Sequence, residues 1–131
     1  MTILVNWKAK DLQEGMENMM LGAKEDYKSF HTSNGRKEIV PGSYGDTELK
    51  EYDSKTKVFI GKKFIKVVQD RTVFAFIVKE DTDKFKKGDI LKPAGYNAPA
   101  QNAARGNVLT GDYYIQWTGP CYMDSQRRIR V

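Results

Sequence analysis

The sequence predicts an α+β fold: an amphipathic N-terminal helix packed on a curved, mainly antiparallel sheet or small barrel, with a short second helix near 98–105. Three observations carry this reading. A stretch of helical period fills residues 11–30, three closely spaced apolar segments of strand composition occupy 57–79, and a glycine- and proline-dense segment bends the chain over 85–120. A helix set apart from a run of strands defines the α+β class, and short strands with glycine-rich corners favour curvature. A length of 131 residues fits one domain covering 1–131, long enough to bury a core without a staple.

Residues 1–7 alternate weakly through Ile3, Val5 and Trp7, as a short edge strand or an apolar lead-in to the helix would. Over 11–30, Leu12, Met16, Met19, Met20, Ala23, Tyr27 and Phe30 form one continuous helical stripe. Asp11 stands as the N-cap with Glu14 three residues on, the arrangement of a capping box. Gly15 and Gly22 flank the stripe and weaken the helix, but they let another backbone come close. The methionines suit core packing against a sheet, with an adaptable binding groove as the competing use. Asn34-Gly35 stops the helix, and His31, the only histidine, reads as a solvated cap responding to the helix dipole.

Residues 36–56 carry the least pattern: a short strand at 37–40, then a polar loop from which Ser43, Tyr44 and Thr47 can face a ligand. Strands are expected at 57–60, 63–69 and 72–79, with a tight turn at 69–72 joining the last two. The run VFAFIV is apolar on both faces, which places its strand centrally and covers it twice. Lysines 63 and 66 fall on opposite faces of the preceding strand, which sets it nearer an edge. A charged connection then leads to a strand at 89–92 that cannot continue past Pro93. Asn97 as N-cap, Pro99 in the first turn and Gly106 at the stop predict the short alanine-rich helix. A strand at 112–118 follows, then a turn at 118–120, a short apolar segment at 121–123, and an alternating arginine tail at 127–131 that reads as an edge strand or a basic arm.

Charge is unevenly placed. Residues 1–56 hold eight basic and ten acidic side chains, whereas residues 57–131 hold fourteen basic and seven acidic. The basic C-terminal half is therefore the one to meet an anion: nucleic acid, a nucleotide or an acidic protein. The predicted helix start near Asn97 offers free N–H groups, and Lys92 and Arg105 add charge beside it. Tyr96, Tyr114 and Trp117 supply rings on which a base can stack, and Asn107 completes the candidate ligand-binding set. The segment has neither a phosphate-binding loop ending in GK[ST] nor a GxGxxG fingerprint.

The segments FKKGDILKPAG, NAPAQNAARGN and WTGP, as a spaced set, resemble a stretch of small uncharacterised proteins of tailed bacteriophages. The resemblance covers residues 85–120 and brings no assigned reaction. It implies an accessory protein working in the cytoplasm of an infected bacterium. The lone Cys121 agrees with a reducing compartment and excludes an internal disulfide or a cysteine-based zinc site. The opening residues lack the character of a secretory leader, and no apolar run is long enough for a membrane span.

No histidine pair, nucleophile elbow, metal-ligand spacing or diagnostic carboxylate pair is present, so neither catalytic residues, a metal nor a cofactor is assigned. Three functions stand in order. The first is a non-catalytic binding module whose basic half holds nucleic acid or a nucleotide. The second is an accessory factor that binds a host protein and inhibits or redirects it, through the methionine helix or an exposed sheet edge. The third is a small enzyme with an unrecognised site.

Overall fold

The computed structural model describes residues 2–121. The α+β class holds: a long N-terminal helix packs on antiparallel sheets, and a short second helix follows. Among the described residues no barrel closes, and the strands form three sheets, one of three strands, one of four and one of two.

Helix α1 runs Leu12–His31. The Asp11 carboxylate accepts from Glu14 N at 2.8 Å, and Glu14 Oε1 accepts from Lys10 N at 3.3 Å, one residue off a strict capping box. Its inward stripe is Gly15, Met16, Met19, Gly22, Ala23 and Asp26. Both glycines have the role their spacing suggests. A Cβ on Gly15 would lie 2.6 Å from the Val108 carbonyl oxygen, and one on Gly22 would lie 2.8 Å from Val5 Cγ2. The chain leaves the helix through Thr32, whose N–H and hydroxyl both reach the Lys28 carbonyl. His31 is not a solvated cap. Its ring packs edge-on against Tyr27 at 4.5 Å and Phe30 at 5.3 Å, and its Nε2 is buried.

Strand β1, Ile3–Val5, pairs antiparallel with β8, Tyr113–Gln116, in the register Ile3↔Ile115, and β9, Gly119–Pro120, completes that sheet. The four-stranded sheet joins β2, Thr56–Ile60, β3, Phe64–Gln69, β4, Thr72–Val78, and β5, Ile90–Leu91, in sequence order. The turn between β3 and β4 is as tight as expected, with Asp70 at φ 58°. Strand β4 is buried from Val73 to Val78. Strand β3 is internal, and among the described residues β2 is an edge, exposed from Lys57 to Ile60.

The sheet separates two cores. Ile65, Val67, Ala75, Ile77 and Ile90 face α1 with Met19, Val5 and Ile115. Val68, Phe76, Val78 and Leu91 face the other way, under Phe85 and Ala104. Burying one such aliphatic side chain stabilises the fold by about 1.5–3 kcal/mol.

Two expected elements differ. No strand forms at 37–40; the second helix, α2, lies at Tyr44–Lys50, capped by the Ser43 hydroxyl. No helix forms at 98–105. Ala98–Pro99 (β7) turns back on Pro93–Gly95 (β6) as a small hairpin with Tyr96 and Asn97 between them. Beyond it the chain is extended against β5, with Ala100 N donating to the Lys92 carbonyl and Arg105 N to the Ile90 carbonyl. A two-turn alanine helix is marginal alone, so these tertiary bonds outweigh its propensity. The segment after Cys121, including the proposed arginine tail, lies outside the described residues. Among the described residues no helix is long and apolar enough to cross a membrane.

Candidate functional site

The outward face of β2 and β3 is where this chain leaves polar and aromatic groups together. Strand alternation puts Lys57 and Phe59 on one face of β2, and Phe64, Lys66 and Val68 on the matching face of β3. Register then lines up Phe59, Lys66 and Phe76 across three strands. The tip of the β6–β7 hairpin reaches this row from the side. Lys66 Nζ sits 4.1 Å from the Tyr96 ring centre and 5.4 Å from that of Phe59, and it donates to Asn97 Oδ1 at 3.1 Å. Around them lies a shallow depression of about 310 Å³, whose rim includes Lys62 and Lys63 from the β2–β3 connection. None of its lining residues is acidic. Phe59 and Tyr96 stay about half exposed, at 49% and 56%.

The seven residues singled out in the sequence divide among several places. Asn97 lines this depression, and Tyr96 borders it through its contact with Lys66. Lys92 points to the other side of its strand's end, where Nζ donates to the Pro120 carbonyl at 2.6 Å and burial lowers its pKa. Arg105 is 4% exposed, and its Nη1 donates to the Ala103 carbonyl at 2.9 Å. Neither cation is offered to solvent in the manner expected. Asn107 fastens a loop: Nδ2 donates to the Lys87 carbonyl and Asp89 Oδ1, while Oδ1 accepts from Leu109 N and Thr110 N. Tyr114 lies opposite Leu4 on the outer side of the β1–β8 pair. Trp117 joins a different hollow.

That second hollow, about 350 Å³, opens at the C-terminal end of α1. Trp117 packs 5.1 Å from both Tyr27 and Phe30, and its backbone N–H donates to Asp26 Oδ2 at 2.8 Å. Glu48 of α2 is the polar centre. It takes Lys55 Nζ at 2.5 Å and the hydroxyls of Tyr44 at 2.9 Å and Tyr27 at 3.3 Å. The Lys55 ammonium and these hydroxyls hold its carboxyl below the usual range, while burial and the Glu48 charge push Tyr27 up to about 12.

Sequence reasoning named Tyr44, Tyr96, Asn97 and Trp117 but not Lys66, Phe59, Glu48 or Lys55, nor Asp70, which also lines the second hollow. The signal for Lys66 was present: a lysine inside an apolar strand, opposite a phenylalanine on an edge strand. Among the described residues no cluster of three or more histidine, cysteine or carboxylate side chains can hold a metal. Cys121 is buried, and that burial raises its pKa away from thiolate reactivity.

Comparison with known proteins finds no matching protein family, no matching curated protein and no matching solved structure.

Proposed function

We propose that the chain is a non-catalytic binding module for single-stranded nucleic acid, held on the outward face of β2 and β3. One observation carries this reading. Lys62, Lys63 and Lys66 share a depression that has no acidic lining and is bordered by the half-exposed rings of Phe59 and Tyr96. Lysines neutralise phosphates, and exposed rings stack on bases, which a single strand presents and a duplex conceals. The mobile stem of Lys66 lets its ammonium move from the Tyr96 face to a phosphate when a base takes that place. An accessory role during phage growth, implied by the resemblance over 85–120, is compatible with such a module.

A labelled oligonucleotide titrated at rising salt tests this. Three phosphate contacts give a slope of log affinity against log salt near −2, from roughly 0.7 per phosphate on single strands. The triple variant K62E/K63E/K66E removes binding while its thermal unfolding stays cooperative. Affinity that ignores both salt and this variant overturns the proposal.

A second reading rests on the other side of β2. Val58 and Ile60 of that edge, with Met16, Met20 and Leu21 of α1, line a groove of about 610 Å³ that Gln13, Glu17 and Asp53 also line. An edge strand beside a methionine-rich groove suits a protein partner, such as a host factor to be inhibited or redirected. Salt-insensitive capture of one protein, lost in I60K, supports it; capture unaffected by I60K removes this groove from consideration.

A further inference from the structure

The hollow at the end of α1 has a composition opposite to that of the basic depression, and its hydrogen-bond accounting specifies a ligand. Tyr27, Tyr52, Phe74 and Trp117 give it an aromatic lining. Two of its nitrogen donors are already committed, while the Tyr52 hydroxyl is buried with no hydrogen-bond partner among the described residues. Lys55 Nζ is taken by Glu48 at 2.5 Å and Glu51 at 3.5 Å. The Gln69 amide nitrogen serves the Tyr52 carbonyl at 3.3 Å and Thr56 Oγ1 at 2.5 Å, which leaves its amide oxygen as the remaining group. The hydroxyls of Tyr27 and Tyr44 both donate to Glu48 Oε1.

What the hollow has left is the Tyr52 hydroxyl, further acceptor capacity and negative charge. Glu48 and Asp70 line it against the single ammonium of Lys55, and Glu51 stands just behind that ammonium. Asp70 is exposed at the mouth, on the β3–β4 turn, where its N–H is tied to the Lys55 carbonyl at 2.8 Å. A phosphate or carboxylate ligand would meet like charge at Glu48 and Asp70. A neutral hydrocarbon would leave Asp70 and the Tyr52 hydroxyl unanswered. A cation that carries N–H groups answers both, because ring faces attract it and carboxylates accept from it.

We propose that this hollow is a binding site for a small organic cation of the alkylammonium class. The hydrocarbon part lies along Trp117 and Tyr27, and the ammonium is directed to Asp70 and the outer lone pairs of Glu48. A volume of about 350 Å³ accommodates such an ion together with several waters. The site shares no lining residue with the lysine depression, so it does not depend on nucleic-acid binding.

Trp117 supplies the readout, since Trp7 and Trp117 are the only two indoles and W7F leaves one. The W7F protein is titrated with butylammonium chloride, 1-butanol and sodium butyrate at constant ionic strength. A saturable fluorescence change with butylammonium alone is the expected result. Equal response to 1-butanol, preference for butyrate, or no saturable response to any of the three overturns the proposal. Within the same background, D70N weakens butylammonium about fivefold. Asparagine tolerates the left-handed backbone at position 70, so this variant keeps the turn. E48Q also weakens binding, and an unchanged affinity in a folded D70N protein overturns the role given to the mouth carboxylate. The K62E/K63E/K66E protein retains butylammonium binding whether or not the nucleic-acid reading survives.

Discussion

The two faces of the four-stranded sheet come from the same strands, one residue out of phase, and they are finished differently. Ile65, Val67, Ile77 and Ile90 meet α1 and are almost wholly enclosed. On the reverse face Val68, Phe76, Val78 and Leu91 are enclosed too, but only under Phe85 and the extended chain at 100–105. That cover stops short of the free edge. Where it stops, the same alternation delivers Phe59 and Lys66 to solvent, and the β6–β7 tip sets Tyr96 beside them. The lesson is that one face of a sheet becomes a core or a surface according to the length of its cover. A binding face here costs the fold little, because it is the unfinished part of a core.

The comparison breaks most sharply at Ile77. Its side chain is 0% exposed and faces Ile65 and Ile90 across the neighbouring strands. Ile77→Ala loses about 2–5 kcal/mol of stability through transfer and cavity terms together. Denaturant unfolding measures the loss, and the oligonucleotide affinity of the fraction still folded stays at the wild-type value. A matched fall in that affinity would mean that the two faces are not independent.

A smaller effect is expected where α1 touches the rest of the chain. Gly15→Ala puts a methyl 2.6 Å from the Val108 carbonyl oxygen, and backbone cannot yield as a side-chain tip does. Alanine gains up to about 1 kcal/mol in helix propensity, against roughly 1–3 kcal/mol for overpacking. Net destabilisation is therefore expected, and thermal unfolding measures it. A raised melting temperature would show that α1 slides on its sheet and is not pinned there.

The same contrast explains what was legible in the sequence. Helix α1 carries its period over twenty residues, and its cap, stripe and close-approach glycines are local features. The β3–β4 pair is local as well, since two residues separate Gln69 from Thr72. Helix α2 has seven residues and none of them buried, so hydrophobic period could not reveal it; its signals are the Ser43 cap with Asp46 in the first turn and Lys50 in the last. The stretch 98–105 satisfied the rules for a helix with Asn97, Pro99 and Gly106. Its backbone is instead bonded to Lys92 and Ile90, partners that no local rule can see. Charge is hard to read for a related reason. Arg105 and Lys92 fall in the basic half, yet Arg105 Nη1 donates to the Ala103 carbonyl and Lys92 Nζ to the Pro120 carbonyl. Lys66 meets Asn97 across 31 positions, and Trp117 meets Asp26 across 91. Both hollows depend on such distant meetings.

The smallest expected change in stability is also the most informative about the open face. Phe59 is on the edge strand, 49% exposed, with Lys66 as its cross-strand neighbour. Removing a ring from such a position forms no cavity, so Phe59→Ala shifts unfolding by within about 0.5 kcal/mol. If the ring is a stacking platform, the same change removes about 1–3 kcal/mol of oligonucleotide binding, and Tyr96→Ala does likewise. The slope of affinity against salt stays as in the wild type for both, because no lysine has been lost. Stability and binding thus respond in opposite proportion to Ile77→Ala and Phe59→Ala, one on each face. Should Phe59→Ala unfold the protein as readily as Ile77→Ala, the edge would be core after all; should it leave affinity untouched, the lysines would be acting without a platform.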